Sequence, residues 1–146
     1  MKISYKGDYA LKAMLDLAIR YDVELVTTHD LANRIDAPIK FLEQVLLELR
    51  KAGFIESRRG NVGGYKLSRA PGKISLGEVI RYVSGPIEPI TCLNKGYTQC
   101  SELNACVFKK VWHKVDQATK DIVDNVTFED LVRDSGAHKQ VLAYSI

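Results

Sequence analysis

Apolar residues recur at helical spacing near the start of the chain. Ala10, Leu11, Met14, Leu15, Leu17 and Ala18 fall on one side of residues 8–21, which predicts an amphipathic helix. Asp8 stands in its first turn, where a carboxylate meets the positive end of the helix dipole. Thr27-Thr28-His29-Asp30 has the spacing of a capping box with Thr27 as N-cap, and opens a short helix through Leu31, Ala32 and Ile35. Asp36-Ala37 breaks that pattern. Pro38 then suits the first turn of the next helix, where its missing N–H costs nothing. That helix runs through Phe41, Leu42, Val45, Leu46 and Leu49 and ends at Gly53. Residues 54–57 and 65–68 read as two short strands around Arg58-Arg59-Gly60-Asn61-Val62-Gly63-Gly64, a basic, glycine-rich turn.

Pro71-Gly72 marks a boundary, and Ser75-Leu76-Gly77-Glu78 is a second capping box that starts a helix through Val79, Ile80 and Val83. Gly85-Pro86 and Pro89 stop it. From Cys106 to Val126, the residues Val107, Val111, Val115, Ala118, Ile122 and Val126 recur at steps of four or three. So narrow a stripe resembles a coiled-coil seam, with Phe108 and Trp112 widening one end. A helix of ~20 residues spans about 30 Å, too long to fold back on so small a domain, so it is expected to pair with a second copy. Thr127 and Asp130 form a third box before a short helix through Leu131 and Val132, and the tail from Gly136 reads as loosely held. The expected class is mainly α with a small β-hairpin wing. A winged helix-turn-helix occupies 1–72, a linking helix and cysteine loop 73–105, and a dimerisation helix, short helix and tail 106–146.

Composition narrows the partners. The net charge is +3, and all of it lies in the first 70 residues, which hold twelve Lys/Arg against nine Asp/Glu; the remainder balances at nine against nine. That asymmetry favours an anionic partner for the N-terminal half. No stretch approaches the roughly 18 apolar residues of a membrane helix, and the N-terminus lacks the apolar segment of a signal peptide, so a cytoplasmic protein without membrane contact is expected. The few histidines, with no nucleophile elbow and no phosphate loop, leave little basis for an enzyme, although Cys106 and His113 could be combined as nucleophile and base.

A helix-turn-helix brings the start of its second helix to the major groove of double-stranded DNA. Pro38, Ile39, Lys40 and Phe41 therefore lie nearest the bases. Lys40 suits a phosphate or guanine, Glu43 a cytosine amino group, and Gln44 is a further base-edge candidate. Arg58 and Arg59 at the wing tip suit phosphates or a narrow minor groove. Thr28, Arg50, Asn61 and Tyr65 complete the DNA-facing set. Tyr5, Phe41, Phe54 and Tyr65 also read individually as packing residues. A helical subdomain with a basic hairpin that docks protein is the alternative.

Residues 41–53, followed by Arg58-Arg59-Gly60-Asn61-Val62-Gly63-Gly64-Tyr65, resemble the Rrf2 family of bacterial winged-helix repressors. Leu76-Gly77-Glu78-Val79-Ile80 and Val126-Thr127-Phe128-Glu129-Asp130-Leu131 fit the same family, so the resemblance covers nearly the whole chain. It implies a homodimer joined by the helix around 106–126, with each wing and recognition helix on half of a palindromic operator.

All three cysteines, Cys92, Cys100 and Cys106, fall in one polar loop. In a reducing compartment such a cluster binds metal or reacts with oxidants. Fe–S clusters take soft thiolates and usually four protein donors. Zinc would favour paired C-x2-C knuckles, which are absent. The resemblance implies an Fe–S cluster on the three thiols, with the four-iron type slightly preferred over the two-iron type. The spacing, C-x7-C-x5-C, has a first gap longer by two than the family's usual one. Lys109 stands where the iron–sulfur cluster regulator of the family carries a histidine. Asp8 matches the position from which nitric-oxide-sensing relatives supply a carboxylate to the partner subunit's cluster, and His113, two turns beyond Cys106, is the other fourth donor considered. Direct cysteine oxidation, or a small-molecule or protein effector without any cluster, is the alternative signal; an electron carrier would not need the wing.

Overall fold

A computed structural model describes residues 2–136, and the expected loose tail beyond Gly136 lies outside the described residues. Six helices and one hairpin follow in the order α1 (Tyr5–Ile19), α2 (Thr28–Ile35), α3 (Ile39–Lys51), β1 (Ile55–Arg58), β2 (Gly64–Leu67), α4 (Leu76–Ser84), α5 (Lys109–Asn125) and α6 (Phe128–Ser135). The α-rich, winged architecture read from the sequence is the one found. None of the described helices is long and apolar enough to cross a membrane.

Helix α1 begins at Tyr5 rather than at Asp8, because Ser4 Oγ accepts the Gly7 N–H at 3.0 Å and caps it. Tyr5, expected among the packing residues, is 85% exposed instead, since it stands on the first turn ahead of the buried run that starts at Gly7 and Ala10. Thr27 caps α2 by accepting from Asp30 N at 3.2 Å. Asp36 ends that helix in the left-handed region at φ 51°, and Pro38 is the N-cap of α3 rather than a residue of its first turn. Antiparallel pairing of β1 and β2 sets Ile55 opposite Leu67 and Arg58 opposite Gly64. A third pairing escapes the apolar pattern: Val26 exchanges both backbone hydrogen bonds with Tyr65, at 2.9 and 2.7 Å. Gly64 permits this approach, because a Cβ there would lie 2.7 Å from the Val26 carbonyl oxygen.

Helix α1 is the centre of the core. Its small residues Ala10 and Ala13 are fully buried, and α2, α3, α4 and α6 all pack against it. One apolar cluster joins Met14, Leu17, Leu42, Leu46 and Leu49 to Ile74, Val79, Phe128 and Val132, drawing on residues from both sides of Pro71-Gly72. The charged residue Asp16 is buried within this arrangement. It accepts Arg20 Nη1 at 2.7 Å and a bidentate fork from Arg34 at 2.9 and 2.8 Å, so α1 and α2 are held by charge as well as by apolar contact. The Asp16 hydrogen bonds push the Arg34 guanidinium above its ordinary value.

Helix α5 does fold back at one end, contrary to expectation. Val123 packs with Ile80 and Ile87, and Arg81 grips Asp124 with two hydrogen bonds at 2.6 and 2.9 Å. Only a Gly at 77 leaves room for this ion pair. The apolar stripe is on the opposite side and stays in solvent, with Val111 53%, Val115 41% and Ile122 64% exposed. The hydrogen bond from Arg81 holds the Asp124 carboxyl below its ordinary value of 3.8. Its stabilising effect is therefore present above that value and lost as pH falls through the lower, folded-state one. Acid titration of the unfolding midpoint should show a smaller loss below pH ~4 for Asp124→Asn than for the wild type; equal losses would contradict this.

Candidate DNA-binding surface and cysteine loop

Helix α3 buries Leu42, Val45, Leu46 and Leu49, and that stripe turns Lys40, Phe41, Glu43, Gln44, Leu47 and Arg50 outward. Pro38 is exposed at its start and Ile39 half-buried, while Thr28 lies half-buried at the start of α2. The Phe41 ring is anchored edge-on against Tyr9 at 5.5 Å. At the other end, Arg50 Nη1 donates to Ser57 Oγ at 3.2 Å and ties α3 to the base of the wing. Tyr65 is half-buried, fixed by its pairing with Val26, and Phe54 is buried. Arg58, Arg59 and Asn61 project at the wing tip, all exposed.

Charge pairing separates these cations from others nearby. Lys6 pairs with Glu48 at 3.0 Å, Lys66 with Glu56 at 3.1 Å and Arg69 with Glu78 at 3.1 Å. Lys40, Arg58 and Arg59 enter no ion pair among the described residues. Uncompensated cations at the start of an exposed helix and on a neighbouring hairpin tip suit a polyanion, whose counterions they would displace.

The cysteine loop runs between α4 and α5. Its root is fixed by Ile87, which is 1% exposed. Beyond that, the backbone hydrogen bonds within residues 90–106 are all local turns among the described residues. Cys92 sits half-buried in a 3-10 turn over Thr91–Leu93, Cys100 is exposed, and Cys106 is half-buried with its carbonyl accepting Lys109 N at 3.2 Å. All three thiols are free. Lys109, which stands where the family's iron–sulfur cluster regulator carries a histidine, donates its Nζ to the Leu103 carbonyl at 3.0 Å and pins the loop to the first turn of α5. Asp8 is paired with Lys12 at 2.7 Å beside Lys2, Ile3, Ser4 and Tyr5, and its hydrogen bond raises the Lys12 ammonium above its ordinary value. His113 is exposed on α5.

The donor types fit an Fe–S cluster, being soft thiolates on one loop with few ties to the body. The conformation does not assemble them: no three His, Cys, Asp or Glu side chains converge on a metal position among the described residues. Neither Asp8 nor His113 joins two of the thiols in such a group among the described residues.

Comparison with known proteins agrees with the helix-turn-helix, wing and long helix. An rrf2-like HTH-type transcriptional regulator of Rhodobacter capsulatus is 39% identical over 137 residues, covering 89% of this chain and 91% of that protein. The HTH-type transcriptional regulator NsrR of Bacillus licheniformis is 32% identical over 143 residues, covering 98% and 100%. The solved structure of CymR, the global cysteine regulator of B. subtilis, is similar with a TM-score of 0.76 at 32% identity, over 91% of this chain and 97% of that one. Residues 3–134 match the family described as Rrf2, iron-dependent transcriptional regulator, and the chain therefore belongs to the Rrf2 family.

Proposed function

We propose that this DNA-binding regulator works as a homodimer on a palindromic duplex and receives its signal at the cysteine loop. The observation that carries the reading is the junction at Cys106. The third thiol hands directly into the first turn of α5, and α5 presents an apolar stripe to solvent on the side away from its own subunit. A second copy of that stripe would bury both, forming the seam of the dimer. A change at the loop would then act on the helix that sets the spacing of two reading heads.

Each head would place the outward face of α3 in the major groove, Lys40 toward phosphate or guanine and Glu43 and Gln44 toward base edges. Arg58 and Arg59 would take the adjacent backbone. Arg59→Ala should lower the salt dependence of DNA binding, the slope of log K against log salt falling by about 0.9 for one lost phosphate contact. An unchanged slope in a fluorescence-anisotropy salt series would remove Arg59 from the backbone contacts.

Cys92, Cys100 and Cys106 are the residues that would hold an Fe–S cluster, with Asp8 of the partner subunit preferred over His113 as fourth donor. A bound cluster supplies a centre that oxidants, nitric oxide or iron scarcity alter. The residues would do the rest. The thiolates fix the loop while ligated, and Asp8 must leave Lys12 to reach across, so occupancy would register at the N-terminal turn of α1 as well as at α5.

A second reading rests on the free thiols and the exposure of Cys100: direct oxidation of the cysteines, with no metal. Anaerobic purification with counts of iron and sulfide separates the two. Iron and sulfide in equal amounts, with a visible band that Cys106→Ala bleaches without dissociating the dimer, support the cluster. A colourless protein after attempted reconstitution, still changing its DNA affinity on peroxide treatment, supports the thiol reading.

A further inference from the structure

The wing tip carries an apolar side chain that the contacts assigned above do not use. Val62 is 88% exposed, the highest value among the exposed large apolar residues that are described. It is not a loosely defined position. With Arg58 opposite Gly64, the loop spans only residues 59–63, and Gly63 N donates to the Gly60 carbonyl at 3.0 Å. Gly60 lies at φ +123°, and any Cβ on Gly63 would collide with the Arg58 carbonyl oxygen. The glycines therefore commit the loop to a tight shape with Val62 held in water. Its base is equally fixed, through Val26–Tyr65 pairing on one side and Arg50–Ser57 on the other. A hairpin tied in this way keeps its tip at a set distance from α3.

On the same hairpin tip as Val62 stand Arg58 and Arg59, exposed cations that enter no ion pair among the described residues. Cations for the phosphates beside an exposed apolar side chain on one hairpin tip make an arrangement with which proteins enter a minor groove. We propose that Val62 enters the minor groove next to the half-site read by α3 and discriminates A·T from G·C pairs there. The physical reason is steric. Guanine places its 2-amino group on the floor of that groove, where the valine methyls would lie, whereas A·T pairs leave the floor open and narrow the walls around the side chain. Val62 touches no phosphate, so its role separates from that of Arg59. The inference rests on the DNA-binding reading and deepens it by naming a specificity residue.

The probe is a duplex enriched by the wild-type protein from a pool randomised over its central positions. Pairs flanking each half-site are then rebuilt as A·T, as G·C and as inosine·C, which lacks the 2-amino group but keeps the major-groove face of G·C. The wild type should bind the A·T and inosine·C duplexes alike and the G·C duplex about tenfold more weakly, the size of one disfavoured pair. Val62→Gly should bind all three within about twofold with an unchanged salt slope, since no phosphate contact is lost. Val62→Thr, which keeps the branched shape, should retain the G·C penalty and so guards against a merely loosened tip. A wild type that penalises inosine·C as strongly as G·C, or a Val62→Gly protein that keeps the G·C penalty, overturns the assignment while leaving DNA binding intact. Failure of the wild type to enrich any duplex removes the DNA-binding reading, and this inference with it.

Discussion

Placing Asp at both Val115 and Ile122 should turn the protein into a monomer and weaken its grip on a palindromic duplex by about 10²–10⁴-fold, the gain that linking two modest sites ordinarily brings. Both side chains are exposed in the subunit, at 41% and 64%, so the substitutions leave the core untouched. The docking of α5 on α4 uses the other side of the helix, through Val123 and the Arg81–Asp124 pair. Folding is therefore separable from assembly. Sedimentation equilibrium reads the mass and circular dichroism the helix content. A doubly substituted protein that stays dimeric would show that the subunits meet elsewhere.

Phe128→Ala should cost about 3–5 kcal/mol of stability, the usual range for emptying a buried aromatic site. Phe128 is fully buried, and its backbone is held in place by a hydrogen bond from its N–H to the Ile74 carbonyl at 3.1 Å. The cavity would open where α6 meets α1, at the centre of the domain that carries the reading head. A loss of that size is a large share of the 5–15 kcal/mol typical of whole domains. Urea unfolding followed by circular dichroism measures it as a fall in midpoint at constant slope. A midpoint within error of the wild type would mean that α6 is not integral to the core.

Much of this architecture could be read in the chain because its helices are amphipathic and its turns carry the residues turns require. Leu42, Val45, Leu46 and Leu49 repeat at helical spacing and are all buried, which leaves the opposite face of α3 exposed. What stayed hidden lacks any period. Val26 pairs with Tyr65 as a single bridge, too short to show alternation. Asp16 and Arg20 look like an exposed i,i+4 pair until Arg34 arrives from the next helix and buries the carboxylate. The docking of α5 depends on Gly77, Arg81 and Asp124, polar or small residues that an apolar pattern passes over. The cysteine loop was located by its composition, but the placing of its thiols relative to Asp8 has no local signature. In the proposed function it would be set by whatever the thiols bind and by a second subunit.

In the proposed function a dimer reads a symmetric duplex and the cysteine loop controls the reading. One measurement meets it directly: the affinity of the anaerobically purified protein for a duplex selected from a random pool, followed while the sample is exposed to oxidant. The selected sequence should have dyad symmetry with half-sites about one helical turn or a multiple apart, and the affinity should change when the loop is oxidised but not in a protein lacking Cys92, Cys100 and Cys106. Selection of no symmetric sequence, or an affinity indifferent to oxidation in the wild type, would contradict it.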